Sequence, residues 1–395
     1  MSKTILVCDF LSHATMHLPF NSGYLACMRQ AFPDDTILFC GKSDHTTNLY
    51  ASGQPIEHVN FDGCLTYAAP PGKSLHNPLT GTKAAKQALR DLLSHLKAKD
   101  IPTDFRFVAI LGLDANLMRV FRTKWPNHSP SPVHYILHDS FGAAYEWRSR
   151  NPLYRYFDFK SEVQKPFPEN HKLVVLEQAL IAPIKKTYPK ITADLIAFDH
   201  PMKEDERLHS PVENHIDKAK DPHLKVGFLG FCSKNKGFVD FLSVAEACTN
   251  PLIDFYAIGQ QDQTLSHLDT SPLTCPPAEH PLSRTNFIDL AQQMDLILLP
   301  LSGKYRFISS GTMVDAISLL KPVVTIDNPV KDYIDRHIGP IGPDLKSHQE
   351  MIDYFNTIRV ADILTALPQW QGNLQSEQKR RDISQLSEQY RRFLA

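Results

Sequence analysis

Short apolar runs that alternate with helical patterns constrain the fold of this chain most strongly. These runs occupy residues 4–9, 36–41, 107–113, 133–139, 173–176, 195–198, 226–230, 255–259, 296–300 and 323–326. Apolar runs of this length are typical of strands that are buried on both faces. Helix-length segments separate them, and residues 83–97 carry the clearest apolar helix face. Strands alternating with helices imply parallel sheets with crossover helices, so the sequence predicts an α/β fold with two doubly wound sheets.

The length of the chain favours two domains over one, because 395 residues exceed the usual size of a single domain. Residues 201–222 are charged, poor in large apolar side chains and bounded by prolines, which is typical of a linker. We therefore expect an N-terminal domain over residues 1–205 and a C-terminal domain over residues 223–375. The remaining segment, residues 376–395, carries apolar side chains at helical spacing and predicts a terminal helix.

Composition excludes several classes of protein. The chain is 42% hydrophobic and 22% charged, which is ordinary for a globular protein. A net charge of −1 provides no general attraction for nucleic acid, so we expect no nucleic-acid partner. The seven cysteines include no Cys-x-x-Cys pair, and most lie in apolar segments, as core thiols in a reducing compartment do. No apolar stretch has the length of a membrane span, and we expect a cytoplasmic protein.

Residues 302–327 predict a turn of small residues, an amphipathic helix and a buried strand. The turn contains four small or hydroxyl-bearing residues: Ser309, Ser310, Gly311 and Thr312. The helix that follows directs unpaired backbone N–H groups and the positive end of its dipole at this turn. The segment therefore predicts an anion site suited to phosphate. The alternative is a serine-rich helix cap that binds no ligand.

A second strand, turn and helix occur earlier in the chain, over residues 224–247. The turn places Ser233, Lys234 and Lys236 between Gly230 and Gly237. Glycines allow a close approach to the backbone and lysines supply positive charge, so the turn also suits a phosphate group. Lysines that are merely solvated at the surface are the alternative interpretation.

The order of Gly230, Ser233, Lys236 and Gly237 resembles the Gly-Arg-x-Ser-x-x-Lys-Gly signature of nucleotide-sugar glycosyltransferases with the GT-B architecture. In the large retaining bacterial family that carries it (family four type), a later segment reads Glu, seven residues, Glu-Ala, then Gly-Lys-Pro-Val. Asp315-Ala316, followed by Lys321-Pro322-Val323, falls in register with this segment. The resemblance covers the C-terminal half best, whereas the N-terminal half is similar only in its succession of strands and helices.

The resemblance implies two Rossmann-like domains that face a cleft, with the C-terminal helix returning to the first domain. Carried over from the family, Lys236 would neutralise the donor's diphosphate, the turn at 309–312 would cradle it, and Asp315 would accept hydrogen bonds from the ribose hydroxyls. Fixed cations and backbone donors can stabilise a departing diphosphate without a metal. The sequence contains no Asp-x-Asp pair, and we expect no metal or other cofactor besides the donor substrate.

Three residues depart from the family pattern. The arginine of the Gly-Arg pair is Phe231, the first glutamate falls on Phe307, and the second glutamate is the shorter Asp315. One diphosphate cation is therefore missing from its usual place. We expect Lys236 to carry more of the diphosphate charge, with help from Lys234.

The N-terminal domain is expected to supply the acceptor site, because ligands of parallel sheets bind beyond the carboxyl ends of the strands. His138 and Asp139 follow a predicted strand there, and either could take the proton of the acceptor hydroxyl. A structural, hydrogen-bonded histidine is the alternative. The loop over residues 9–23 holds His13 and His17, but no third ligand lies nearby, so contact with a substrate is favoured over a metal.

Residues 147–160 interleave aromatic and basic side chains. This mixture suits a lipid headgroup interface, a glycan surface or a lipid-linked acceptor, and peripheral contact with a membrane is one hypothesis for it. A surface segment whose aromatic rings pack on the protein core is the alternative.

The main hypothesis is a glycosyltransferase that moves a sugar from a nucleoside-diphosphate sugar to a glycan or lipid-linked acceptor in bacterial surface polysaccharide or glycoconjugate synthesis. It would work in the cytoplasm or at the inner face of the cytoplasmic membrane. A base at His138 or Asp139 implies inversion of the anomeric centre, and the absence of a base implies retention. A non-hydrolysing nucleotide-sugar epimerase and a non-catalytic nucleotide-binding subunit of a polysaccharide assembly complex remain alternatives. No Gly-x-Gly-x-x-Gly turn follows a strand, which disfavours a dinucleotide-dependent oxidoreductase.

Overall fold

The computed structural model describes residues 3–14, 16–51, 64–67, 78–146, 151–202, 222–301 and 303–394. The chain divides into two compact units. Unit 1 comprises Met1–Lys203, Phe307–Ser309 and Arg381–Ala395, and unit 2 comprises Glu204–Arg306 and Ser310–Arg380. Residues 203–221 of the predicted linker lie outside the described residues. No helix in the described part of the chain has both the length and the apolar character needed to cross a bilayer.

Unit 1 alternates strands and helices along the chain. Its strands are β1 (Thr4–Asp9), β2 (Thr36–Lys42), β3 (Cys64–Tyr67), β4 (Phe105–Gly112), β5 (Val133–Leu137), β6 (His171–Val175) and β7 (Asp194–Ala197). Its helices are α1 (Leu18–Ala31), α2 (Ser43–Ala51), α3 (Pro78–Ala98), α4 (Ala115–Lys124), α5 (Ser140–Glu146), α6 (Pro152–Tyr156), α7 (Phe159–Glu162), α8 (Ile181–Thr187) and, from the C-terminal segment, α15 (Ile383–Leu394).

The seven strands form one parallel sheet in the order β3-β2-β1-β4-β5-β6-β7. The order reverses between β1 and β4, where Asp9 is the register partner of Gly112. Such a reversal opens a crevice beyond the carboxyl ends of the two strands, where ligands of doubly wound sheets bind. Each apolar run that was predicted as a strand in this half is present, and β3 at the sheet edge is the strand that the pattern did not reveal.

Helix α15 packs on α1 within unit 1. The Tyr24 and Tyr390 hydroxyls lie 2.6 Å apart, and the Tyr390 hydroxyl lies 2.7 Å from Nδ1 of the buried His134. Ser387 also donates a hydrogen bond to the carbonyl of Cys27 at 3.0 Å. These buried polar groups satisfy one another, which makes the docking of α15 specific as well as apolar.

The predicted helix over residues 376–395 is interrupted in the structure. Residue 380 ends one helix, and α15 begins at Ile383. The Asp382 carboxylate accepts a hydrogen bond from the Ser384 amide at 3.2 Å, which is the function of a helix N-cap. The side chain of Arg381 is fully buried in an ion pair with Glu177. The helix is therefore interrupted at residues 381 and 382, where this guanidinium is buried and a new helix is capped.

Unit 2 repeats the alternation on a smaller scale. Its strands are β8 (Leu224–Leu229), β9 (Ile253–Ile258), β10 (Leu296–Leu298) and β11 (Val323–Val324). Its helices are α9 (Phe238–Ala247), α10 (Arg284–Gln292), α11 (Gly311–Ser318), α12 (Pro329–His337), α13 (His348–Thr357) and α14 (Val360–Arg380). The predicted strand and helix succession of this half is confirmed.

The four strands of unit 2 are parallel and run in the order β11-β10-β8-β9. The chain leaves β8 toward β9 on one side and returns to β10 on the other, so the order reverses between β8 and β10. A core of aromatic and aliphatic side chains holds the helices on this sheet, with Phe228, Phe238 and Phe241 in mutual ring contact. The reversal places the loops after β8 and β10 side by side.

Candidate functional site

The loop after β8 holds Lys236 between two glycines with positive φ. Gly230 has φ +88° and Gly237 has φ +80°, a backbone conformation that L side chains rarely adopt. A Cβ atom on residue 237 would lie 2.3 Å from the carbonyl oxygen of Pro300, which follows β10. The loops after the two neighbouring strands are therefore in close contact, and glycine is required for that contact.

Gly230 lies under Lys236 and the first turn of α11. A Cβ atom on residue 230 would lie 2.7 Å from Cγ2 of Thr312 and 3.2 Å from Nζ of Lys236. The structure thus brings three of the predicted site residues together: Gly230, Lys236 and Thr312. Ser233 begins the 3-10 helix Lys234–Lys236, and its carbonyl accepts hydrogen bonds from the amides of Lys236 and Phe238.

The N-terminus of α11 is open. Ser310 is the N-cap residue, but its side chain caps no backbone amide; its hydroxyl lies 2.9 Å from that of Thr312. The first amide that bonds within the helix is that of Val314, so the preceding N–H groups have no helical acceptor. A Cβ atom on Gly311 would meet no atom within 4 Å. Free amide donors and open space at the positive end of a helix suit an anion.

Lys236 is half-buried, and no described carboxylate forms an ion pair with it. Burial lowers the pKa of its ammonium group, the nearby Asp315 raises it, and the charge of Lys304 lowers it. A buried ammonium without an ion-pair partner is costly, and a bound anion would remove that cost.

Asp315 projects from the same helix as the open turn. Its carboxylate forms an ion pair with Arg284 at 2.7 Å, between a half-buried acid and a more exposed guanidinium. The sequence did not indicate Arg284 as a partner of this acid. The ion pair holds one oxygen of Asp315 in place. The role of Asp315 as an acceptor for ribose hydroxyls stays a prediction.

Ser309, by contrast, belongs to unit 1 with Phe307. Its hydroxyl donates a hydrogen bond to Oε1 of Glu177 at 2.9 Å. Arg381 donates to both oxygens of the same carboxylate, at 2.6 and 2.7 Å. The Phe307 ring packs against Tyr145 and Tyr188, with centroids 4.9 and 6.0 Å apart. Ser309 is therefore engaged by a buried carboxylate, whereas Ser310, Gly311 and Thr312 lie in unit 2.

Glu177 is a residue that the sequence did not single out. It follows β6 with φ +122°, in a region that non-glycine residues rarely adopt. Such strain persists where surrounding contacts determine the conformation, and the buried bidentate pair with Arg381 is such a contact.

In unit 1, His138 lies at the carboxyl end of β5 among other rings. Its ring centroid is 4.4 Å from that of His17 and 4.2 Å from that of Phe20. The Phe20 ring also contacts His200, at 5.0 Å. Nε2 of His138 is buried and has no hydrogen-bond partner among the described residues. We call His17, His138 and His200 the histidine cluster.

Burial favours the neutral form of the three rings in the histidine cluster. Burial lowers the pKa of His138 well below its usual value, and His17 and His200 lower it further. Burial also lowers the pKa of His17, against the opposing charges of Asp9 and Asp139, and lowers that of His200 to about 4. A neutral imidazole can donate or accept a hydrogen bond, but a base with so low a pKa takes up protons poorly.

Asp139 is exposed at the start of α5, where its carbonyl accepts a hydrogen bond from the amide of Ala143. No hydrogen bond within the described chain orients its carboxylate. Asp9, at the end of β1, is the buried carboxylate of this region: it accepts hydrogen bonds from the amides of Leu11 and Ser12 and from Asn21. Asp9 thus orders the loop that leads to His17.

The aromatic and basic segment is described from residue 151 onward, and residues 147–150 lie outside the described residues. Phe157 lies under the guanidinium of Arg119, and Phe159 is buried against Phe141. Tyr156 is 60% exposed beneath the ammonium of Lys165. Part of the segment therefore anchors on the core and part faces solvent. Across the described ranges, no three histidine, cysteine or acidic side chains are arranged to hold a metal ion.

No family model and no curated protein sequence matches this chain. Solved structures do match over almost its whole length. Sucrose-phosphate synthase from Thermosynechococcus elongatus matches with a TM-score of 0.63 at 10% identity, covering 99% of this chain and 98% of that one. HepE from Anabaena, in complex with UDP and glucose, matches with a TM-score of 0.63 at 13% identity, covering 99% of each chain. An α,α-trehalose-phosphate synthase (UDP-forming) from Burkholderia xenovorans, in complex with glucose-6-phosphate, matches with a TM-score of 0.58 at 10% identity, covering 100% of both chains.

These proteins are glycosyltransferases of the GT-B class. This chain contains two doubly wound parallel sheets and matches these structures over almost its whole length, so it has the GT-B fold that the sequence predicted.

Replacing Gly230 by alanine should destabilise unit 2, because the added methyl group would meet Thr312 at 2.7 Å on a backbone with φ +88°. We expect a loss of roughly 1–3 kcal/mol in the free energy of unfolding, measured with urea. Gly372→Ala is the matched control, since a Cβ atom there meets nothing within 4 Å inside α14. Equal effects of the two substitutions would contradict the close contact at Gly230.

The histidine cluster should make the fold sensitive to acid. The unfolded chain takes up a proton at His200 below about pH 6.5, whereas the folded chain does so only near a pKa of about 4. The unfolding free energy should therefore fall as pH drops through this window, by up to roughly 1.4 kcal/mol per pH unit for this group. We expect His200→Gln to flatten the decline measured from pH 7 to 4. The exposed His128→Gln should leave it unchanged.

Proposed function

We propose that the protein is a glycosyltransferase that moves a sugar from a nucleoside-diphosphate sugar to a glycan or lipid-linked acceptor. One observation carries the proposal: in unit 2 the ammonium of Lys236, which has no ion-pair partner among the described residues, lies beside Gly230 and the open first turn of α11. The structural neighbours support the donor class, since one was solved with UDP and another is described as UDP-forming.

The chemistry proposed for this site is stabilisation of the leaving group. When the bond between the sugar and the diphosphate breaks, negative charge grows on the diphosphate oxygens. A lysine ammonium and helix amides that are already in place interact more strongly with that growing charge than with the intact donor, which lowers the barrier. These groups supply positive charge without a metal, and the proposal requires none.

In unit 1 we propose that His138 binds a substrate hydroxyl. Its buried Nε2 lacks a partner within the described residues, and an imidazole of such low pKa is better suited to hydrogen bonding than to removing a proton. The carboxylate of Asp139 lacks the fixed orientation that a general base needs. We therefore favour a mechanism in which the diphosphate leaves and the acceptor hydroxyl attacks on the same face of the sugar. This mechanism retains the anomeric configuration.

The proposed acceptor and location rest on exposed side chains of unit 1. Tyr156 and Lys165 offer an exposed ring and a cation, which suit a glycan or the headgroup of a lipid-linked acceptor. With such an acceptor, the enzyme would act in the cytoplasm or at the inner face of the cytoplasmic membrane. Its product would belong to a bacterial surface polysaccharide or glycoconjugate. A phosphorylated sugar acceptor is the alternative that the neighbour solved with glucose-6-phosphate suggests.

A non-catalytic nucleotide-binding subunit is the second candidate. Phe231 and Phe307 stand where the family that this chain resembles has charged residues, and the Phe307 ring packs among aromatic side chains in unit 1. Tight binding of a donor without turnover across a panel of acceptors would support this candidate. Consumption of the donor without any acceptor would instead support an epimerase.

Lys236→Ala should abolish most binding of nucleoside diphosphates. We expect calorimetry with UDP and GDP to show about 10- to 100-fold weaker affinity for the nucleotide that the wild-type protein prefers, because one charged hydrogen bond is removed. Lys234→Ala is the matched control, since that side chain is exposed in the same turn. Unchanged affinity in Lys236→Ala would remove this residue from the site.

Asp139→Asn should retain activity within about tenfold of wild type, since loss of a true general base lowers the rate by about 10²- to 10⁴-fold. Proton NMR of the product should show the anomeric configuration of the donor. A loss of three orders of magnitude, together with an inverted product, would assign Asp139 as the base. Circular dichroism checks that the variant remains folded.

A further inference from the structure

The loop between β1 and α1 contains two residues with positive φ that are not glycine. Ala14 has φ +44° and His17 has φ +55°. L side chains crowd the backbone in this left-handed region, so such residues need contacts that hold them there. His17 is the N-cap residue of α1, yet its side chain caps no backbone amide. Its ring packs instead on His138, with the centroids 4.4 Å apart. Strain beside a candidate substrate-binding group points to a functional constraint on this loop.

The first turn of α2 holds both backbone polar groups of Ala14. The amide of Ala14 donates a hydrogen bond to Oδ2 of Asp44 at 2.9 Å, and its carbonyl oxygen lies 2.9 Å from Nδ1 of His45. The bond from this amide holds the pKa of Asp44 below its usual value. Rotation of Ala14 out of the left-handed region would change the angle between its N–H and C=O groups and break at least one of these bonds. We call Asp44 and His45 the clamp.

Both ring nitrogens of His45 have partners. Nδ1 faces a carbonyl oxygen, which only accepts, so Nδ1 carries a hydrogen and donates it. Nε2 lies 2.8 Å from Nδ2 of Asn21 and accepts from it. The other N–H of the same amide donates to Oδ2 of Asp9 at 2.8 Å. These three side chains are buried, and their hydrogen bonds fix the orientation of the His45 ring.

The same hydrogen bonds support both rings that pack on His138. Asn21 ties the first turn of α1 to the end of β1, and Phe20 precedes it in that helix, with its ring centroid 4.2 Å from that of His138. The backbone amide of Asn21 also donates to the carbonyl of His17 at 2.9 Å. Ala14 anchors the short segment that leads to His17. Loss of the clamp would therefore displace His17, while Phe20 keeps its own anchor.

We propose that Asp44 and His45 are positioning residues for the substrate site of unit 1. They hold Ala14 in its left-handed conformation, which places the His17 ring on His138. The stacked ring fixes the plane of the His138 imidazole, whose Nε2 is the group that binds a substrate hydroxyl in the proposed function. The inference rests on that function, because it assigns residues that position the same site. Both clamp residues act through His17.

Two substitutions at position 45 distinguish this role from a merely structural one. The side-chain amide of asparagine reaches as far as Nδ1 of histidine, whereas that of glutamine reaches as far as Nε2. His45→Asn therefore keeps a donor for the Ala14 carbonyl, and His45→Gln leaves that carbonyl without one. Both variants lose a buried ring, so urea unfolding should show similar losses of stability. In NMR spectra of the histidine-labelled full-length protein, the His17 ring signals should move in His45→Gln and stay in place in His45→Asn.

Asp44→Ala tests the clamp without disturbing the core, because this side chain is exposed. It should move the His17 signals as His45→Gln does. In turnover assays it should raise the KM of the substrate that His138 binds by about 10-fold and leave kcat within about threefold of wild type, because a bond made in both ground and transition states is weakened. Asp104→Ala is the control: it removes another exposed acid of unit 1, at the opposite edge of the sheet, and should change neither readout.

The His17 signals are assigned with His17→Gln. Equal shifts in His45→Gln and His45→Asn, or unmoved signals in both His45→Gln and Asp44→Ala, would overturn the inference and leave the proposed function intact. Unchanged KM values in Asp44→Ala would overturn it as well. A wild-type protein that turns over no nucleoside-diphosphate sugar would overturn the proposed function, and the inference with it, even where the signals move.

Discussion

The half-buried ammonium of Lys236 is the constraint around which unit 2 is arranged. Burial lowers the pKa of this group, and no described carboxylate pairs with it. Two glycines with positive φ flank Lys236 in its loop. Gly230 lies next to the ammonium group, and Gly237 contacts Pro300. An unpaired buried charge destabilises a fold, so the position of this ammonium beside helix amides supports the anion site that we propose.

Unit 1 uses buried polar groups differently. Glu177 and Arg381 form a buried bidentate ion pair to which the Ser309 hydroxyl also donates. Asp9 accepts two hydrogen bonds from amides of the loop that follows it and one from Asn21 in α1. These contacts hold the backbone of unit 1 in place at Glu177 and in the loop after Asp9. Nε2 of His138, in the histidine cluster, is among the buried side-chain atoms that have no hydrogen-bond partner in the described chain. Its place at the carboxyl end of β5, together with this unsatisfied nitrogen, makes His138 a candidate substrate-binding residue.

Much of the fold could be predicted from the sequence, because alternating apolar runs and helix faces are local patterns. The strand runs and helix α9 (Phe238–Ala247) follow these patterns closely. The prediction of one helix over residues 376–395 was wrong in detail, since Asp382 begins a new helix and Arg381 is buried with Glu177. Nothing local indicates that a basic residue in a polar stretch pairs with an acid two hundred positions earlier.

The sequence by itself determined that the chain is α/β and that two strand–turn–helix units carry glycine, hydroxyl and lysine side chains, and it predicted an anion as the ligand of those turns. These properties depend on backbone amides and helix ends within a few residues of one another. Only the tertiary structure decided which groups meet there: Gly230 against Thr312, Gly237 against the carbonyl of Pro300, and Arg284 on Asp315. The physical reason is the strand order, since placing β10 beside β8 joins loops that are distant in sequence.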